Sequence, residues 1–183
     1  MSNEHPLKQF AYCPRCGSAE FMVNDERSKR CGHCGFVYYL NASAATAAFI
    51  LNDRNEILVS RRAFEPAKDT LDLPGGFVDP GESIDRGMRR EILEETGCRV
   101  AEMKWLFSLP NSYMFSGFSV PTADSFFLCR LETGETPAAL DDAAALRWIA
   151  IEKLDPEDFG LDSIRKAVEK FKTESARLVW DKH

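Results

Sequence analysis

Three glutamates, Glu91, Glu94 and Glu95, stand within five positions of one another in RREILEETG, with Glu82 nine residues before the first and Arg89 and Arg90 directly ahead. On a helix that turns about 100° per residue they span about 100° of circumference, so three carboxylates point to one side. Unpaired, they would repel one another. Hard divalent cations such as Mg²⁺ or Mn²⁺ relieve that repulsion and prefer oxygen ligands, which makes the cluster a candidate metal site. The plainer reading is a solvated helix face in which Arg90 pairs with Glu94 one turn on. The upstream stretch LPGGFVDPGE shifts the balance. Its glycines and prolines build a tight turn that can present backbone groups beside the carboxylates, a combination suited to phosphates.

A second donor set lies near the N-terminus. Cys13, Cys16, Cys31 and Cys34 form C-x2-C-x14-C-x2-C in YCPRCGS and RCGHCGF. Each C-x-x-C turn aims two sulfurs at one point, so the pair of knuckles reads as a tetrahedral thiolate site for zinc, with iron or two disulfides as the alternatives. His33 is surplus once four thiolates are counted. Cys98 and Cys129 stand apart and read as small buried apolar side chains.

The elements that must position these groups follow from periodicity. Residues 1–40 read as a zinc ribbon, with a hairpin in EFMVNDERSKRCGHC turning at NDERSK; a segment this short needs a staple such as metal to fold. ATAAFILNDRNEILVSRR predicts two strands joined at NDRN, and LDLPGGFV a further short strand. Ser83 to Thr96 carries helical spacing, and Gly97 is placed to end that helix as its left-handed cap. SFFLCRLE and LRWIAI predict strands, and IRKAVEKFKTESARL a helix with Ile164, Val168 and Phe171 on one face. Residues 41–183 thus read as one larger domain closed by a C-terminal helix.

From Gly76 to Cys98 the chain resembles the box of the Nudix hydrolases, G-x5-E-x7-R-E-U-x-E-E-x-G-U, with U a bulky aliphatic residue. Gly76, Glu82, Arg90, Glu91, Ile92, Glu94, Glu95 and Gly97 occupy the required positions, and Cys98 replaces the last aliphatic one. LVSRR, LPGG and the RWIAI strand followed by EKL resemble the family's flanks. The resemblance implies an α/β/α sandwich with a mixed sheet, and cleavage of a nucleoside diphosphate linked to another moiety by attack of water on phosphorus, using Mg²⁺ or Mn²⁺. Carried over, Glu91, Glu94 and Glu95 would hold metal with the carbonyl of Gly76. Glu82 and Arg90 would orient that set, Arg90 through an ion pair, and Glu91 would accept the water's proton. Asp142, six residues before Trp148, fits a place where members carry a further acidic ligand; Ala145, three before it, leaves another such place empty.

A ribbon ahead of such a domain resembles the NADH pyrophosphatase branch, although FSLPNSYMFSG matches that branch's SQPWPFPxS only at Ser108, Pro110 and Phe115. Tyr113 resembles a tyrosine of the dinucleoside polyphosphate hydrolases, and Pro110 a feature of the ADP-ribose enzymes. The shared content is an aromatic group, Tyr113, Phe115 and Phe118, able to stack on a base or to pack in a core. The substrate expected is therefore a small nucleotide such as NADH, ADP-ribose or a related dinucleotide.

Composition limits the other classes. At 183 residues and 44% apolar content the chain can bury a real core. It has no run of 18 apolar residues and no basic-then-apolar leader, so no membrane partner is expected and the cytoplasm is the default location. A net charge of −6 and a ribbon of nearly balanced charge argue against a nucleic-acid role. Its three histidines, His5, His33 and His183, leave no imidazole in the larger domain to serve a Ser or Cys nucleophile, which favours a carboxylate base. The competing class is a nucleotide-sensing module whose ribbon docks a protein or nucleic acid; a sensor would not need every catalytic position. Oligomeric state, a homodimer included, is left open.

Overall fold

The computed structural model describes residues 4–140 and 143–178 and divides into two compact units, residues 1–42 and 43–183. In the first, β1 (Phe21–Asp25), β2 (Ser28–Cys31) and β3 (Val37–Tyr39) form an antiparallel three-stranded sheet. The predicted hairpin is present, with a turn tighter than NDERSK: Asp25 pairs directly with Ser28, and the Asp25 carboxylate accepts the Arg27 N–H. Cys13, Phe21 and Cys31 are its buried centre, too small a core to hold about 40 residues unaided.

The second unit is built on a mixed sheet. β4 (Ser43–Leu51) pairs in parallel with β8 (Phe118–Leu131) and antiparallel with β5 (Glu56–Arg62). β5 carries β9 (Ala143–Ala150) along one edge, so β4 and the two-residue β6 (Leu71–Asp72) share its other edge. β7 (Val100–Phe115) closes the far side, antiparallel to β8. The run AAFIL in β4 lacks polar alternation because both of its faces are covered. Ala47, Phe49 and Leu51 join Phe126, Leu128 and residues of α2 (Asp162–Leu178); Ala48 and Ile50 join Phe127, Cys129 and residues of α1 (Ile84–Thr96). The architecture is an α/β/α sandwich.

α1 begins after Ser83 and ends at Gly97, whose φ of 72° and N–H to the Leu93 carbonyl make the left-handed cap. It buries Met88 and Ile92. α2 buries Ile164, Ala167, Val168 and Phe171, the Phe171 ring stacked on Phe49 at 4.1 Å between centroids. Cys98 and Cys129 are both buried, as their apolar reading requires.

One long element was not legible. KWLFSLPNSYMF gives little strand alternation and contains Pro110, yet it lies within β7. Proline is tolerated because β7 is an edge strand, where a missing N–H need not be a missing ladder bond. β7 turns into β8 through Ser116 and Gly117, both with positive φ, the two-residue loop that matches strand twist.

Truncating the stacked ring tests the α2 layer. Phe171→Ala should lower stability by about 3–5 kcal/mol, the usual cost of removing a buried phenylalanine. Urea unfolding of the full chain followed by tryptophan fluorescence reads it, since Trp105 lies in β7 and Trp148 in β9 of the larger unit. A loss below 1 kcal/mol would show that the ring is not a core contact.

Candidate active site

After β6 the chain runs back along β4 as an antiparallel segment. Ala48 N–H donates to the Pro74 carbonyl, Thr46 N–H to the Gly76 carbonyl and Val78 N–H to the Ala44 carbonyl. Two glycines are required there. A Cβ on Gly75 would lie 2.1 Å from the Thr46 carbonyl oxygen, and one on Gly76 would lie 2.6 Å from Oε1 of Glu91. The close approach of backbone to carboxylate is therefore built into the sequence PGG. It places the Gly76 backbone against the Glu91 carboxylate, while the Gly76 carbonyl accepts from both the N–H and, at 3.5 Å, the hydroxyl of Thr46.

Arg90 gathers the box carboxylates. Its Nη1 donates to Glu91 at 2.7 Å and Glu94 at 2.9 Å, Nε and Nη2 hold the two oxygens of Glu82 at 3.2 and 3.0 Å, and Nη2 also reaches the Phe77 carbonyl at 3.0 Å. Asp79 adds an ion pair at 3.7 Å. The bond from Glu82, then those from Glu91 and Glu94, raise the Arg90 pKa, and Arg90 in turn holds Glu82 below the ordinary carboxylate range. Burial pushes the Glu91 carboxyl up, against the pull of Arg90. The pairing of Arg90 with Glu94 belongs to this network; it is not an isolated surface bridge.

Glu91, Glu94, Glu95 and Gly76 line one wall of a cleft of about 520 Å³. The hard oxygen donors expected for a divalent cation thus line one cavity, and their chemistry suits such an ion. Among the described residues only the four cysteines bring three or more donor atoms within 4.8 Å of one another, so the glutamates line the cleft without closing on one point. Asp142 lies outside the described residues. Tyr113 and Phe115 line the same cleft, joined by Phe64 and Phe77. Phe115 and Phe77 are exposed, whereas Tyr113 is half-buried, its ring edge-on to Phe77 at 5.7 Å and its hydroxyl accepting from Arg62 at 3.4 Å.

The cleft floor holds polar groups that the sequence reading missed. Arg62 donates to the buried Asp72 at 2.5 Å and to the Pro66 carbonyl at 2.7 Å. Asp124, also buried, accepts from Thr122 and Ser163 at 2.5 Å each and from Asn111 at 3.1 Å. The available signal was a lone aspartate inside each of two apolar runs, LDL and ADSFFL, since buried carboxylates are rare without a partner.

In the smaller unit the four cysteine sulfurs lie within 4.8 Å of one another. Cys13 and Cys34 are 3.7 Å apart, as are Cys16 and Cys31. A tetrahedral ion with bonds of about 2.3 Å to sulfur needs edges of about 3.8 Å, so the cage fits zinc. All four cysteines are free of disulfides. The Cys31 thiol is pulled down to about 6, first by the backbone N–H of Cys34, which favours the thiolate that a metal needs.

These features agree with what known proteins share with the chain. Residues 41–171 match the NUDIX domain model and residues 8–39 the NADH pyrophosphatase zinc ribbon domain. The chain belongs to the Nudix family. A NAD-capped RNA hydrolase NudC from Haemophilus influenzae is 25% identical over 158 residues, covering 84% of this chain and 56% of the relative. One from Chromobacterium violaceum is 30% identical over 118 residues, covering 60% and 44%. The chain spans about half the length of these curated relatives. Among solved structures, a NUDIX hydrolase from Nitrosomonas europaea superposes with a TM-score of 0.70 at 20% identity, covering 94% of this chain and 96% of that one, a likeness of fold. A MutT NUDIX hydrolase from Burkholderia pseudomallei is 27% identical with a TM-score of 0.60, covering 70% and 97%.

Two outcomes follow from this geometry. Purified protein should carry about one zinc per chain, bound apart from the carboxylates, and metal analysis finding less than about half an equivalent of zinc or iron after metal-replete expression would count against the cage. Arg90→Gln should weaken divalent-metal activation of turnover about 10- to 100-fold, the usual loss when an orienting partner is removed. A metal titration curve that overlays the parent's would show that the network does not orient the glutamates.

Proposed function

We propose that the chain hydrolyses the pyrophosphate bond of a small nucleotide in which a nucleoside diphosphate is linked to another moiety, such as NADH, ADP-ribose or a related dinucleotide. The supporting observation is the shared cleft: the carboxylates of α1 and a set of aromatic and polar side chains line the same cavity of about 520 Å³, a size suited to a nucleotide. Phosphates would lie toward α1, and a base or second nucleoside toward the aromatic rings.

Glu91, Glu94, Glu95 and the Gly76 carbonyl would hold Mg²⁺ or Mn²⁺, which lowers the pKa of water and offsets charge on the phosphate oxygens when bound. Arg90 fixes Glu91 and Glu94 in one orientation, and Glu82 fixes Arg90. Glu91, half-buried at the edge of the cleft, takes the proton from the attacking water. The exposed rings of Phe77 and Phe115 cover a base face and keep water from it. Zn²⁺ in the four-cysteine cage is structural. NAD-capped RNA, the substrate in the name of the curated relatives, belongs with the dinucleotides as a candidate.

The test is a hydrolysis panel of NADH, ADP-ribose, a diadenosine polyphosphate and NAD-capped RNA with Mg²⁺ or Mn²⁺. The parent should cleave at least one, and Glu95→Gln should lower its turnover by about two to four orders of magnitude with the fold intact. Turnover within threefold of the parent at saturating metal removes the glutamates' assigned role. Nucleotide binding without cleavage of any member would favour the sensing module instead.

A further inference from the structure

Asn111 and Tyr113 lie two residues apart on β7, so their side chains leave the same face of the strand, and both line the cleft. Each is held by a partner, the buried Asp124 or the half-buried Arg62, that plays one hydrogen-bonding role. Three donors converge on Asp124, from Thr122, Ser163 and Asn111, so Asp124 serves as an acceptor. The Asn111 NH₂ must therefore turn toward it, which turns the Asn111 carbonyl oxygen away from Asp124 as a free-standing acceptor. Arg62 has the opposite constraint, because a guanidinium only donates. It occupies a lone pair of the Tyr113 hydroxyl, which leaves the hydroxyl proton to be donated elsewhere.

We propose that Asn111 and Tyr113 form an edge reader in the wall of the cleft, presenting one acceptor beside one donor, for a ligand group that offers a donor beside an acceptor. That chemistry is an amide or amidine edge, found in a primary carboxamide and in the amino-and-ring-nitrogen edge of adenine. Asp124 and Arg62 are positioning residues that set the polarity of the reader without touching the ligand. Ser163, at the start of α2, and Thr122 fix Asp124 in turn, so the reader's orientation is locked to the sandwich rather than to a loop. The inference deepens the dinucleotide reading and rests on it, since it names the group recognised in the same cleft.

The full chain, without added Mg²⁺ or Mn²⁺, is titrated calorimetrically with two pairs of mononucleotides. AMP and IMP differ by reversal of donor and acceptor on the base edge; nicotinamide and nicotinic acid mononucleotide differ by loss of the amide donor. The parent should prefer the first member of at least one pair by about tenfold, the scale of one to two neutral hydrogen bonds with a mismatch left unpaired, and the preferred pair identifies the source of the edge. Tyr113→Phe keeps the ring and should cut that preference to within about twofold, as should Asn111→Ala. Asp124→Asn frees the Asn111 amide to turn over, and should weaken or invert a preference for AMP over IMP; Tyr113→Phe carries the test if that variant fails to fold. A parent that cleaves a dinucleotide yet binds both members of each pair within twofold overturns the edge reader and leaves the hydrolase reading standing. A preference that survives Tyr113→Phe and Asn111→Ala unchanged also overturns it. A parent that cleaves nothing on the panel overturns the hydrolase reading alone, and the edge reader is then decided by the binding preference.

Discussion

Burial of β4 on both faces is the constraint from which the larger unit follows. A strand whose successive residues Ala47 to Leu51 are all buried must have a layer on each side, and its two edges must be paired because no water reaches its backbone. β5 and β8 supply the ladders, α1 and α2 the layers. The first half of β4, which β5 does not reach, is paired instead by residues 74–78. A strand with small side chains, Ala44, Ala45, Ala47, lets that segment come close, and PGG exploits the space. The Gly76 backbone lies against Glu91 because hydrogen-bond satisfaction of β4 draws the loop there; proximity at the site is a by-product of completing the sheet.

Arg90 solves a different problem on the same helix. Four acidic groups, Glu82, Glu91, Glu94 and Asp79, converge within ion-pair distance of one guanidinium. Its planar fork can serve several carboxylates at once, which a lysine could not do with one ammonium point. The network is only partly buried, and exposed pairs contribute little to stability. Its value lies in rotamer order: carboxylates held in place before a cation or phosphate arrives need not lose that freedom on binding.

Legibility in the sequence tracked periodicity. α1, α2, β4, β5 and β9 were readable because apolar residues recur at helical or strand spacing, and the left-handed cap at Gly97 because glycine follows the last helical turn. The first half of β8 and all of β7 were not. An edge strand exposed along much of its length has no strong alternation to show, and Pro110 argues against a strand unless its edge position is known. The four-cysteine cage was explicit, since two knuckles need only local geometry. The cleft floor was the opposite case. Arg62, Asp72, Asn111, Asp124 and Ser163 come from β5, β6, β7, β8 and α2, and only the tertiary fold brings them together.

That floor is costly, because it buries carboxylates. Asp72 sits with its carboxyl pushed up by burial against the pull of Arg62, and Asp124 is buried within Coulombic reach of it. Buried ion pairs are often no more stabilising than well-packed apolar residues of the same volume, so stability alone does not account for this arrangement. The hydroxyls of Thr122 and Ser163 satisfy Asp124 from within the protein, whereas Asn111 and Tyr113 each make one side-chain hydrogen bond among the described residues and also line the cleft. A network saturated at its base and unsaturated at its cavity face has a fixed polarity to offer. A purely structural polar core would close on itself, so the open face points to recognition as the reason the buried charge is kept.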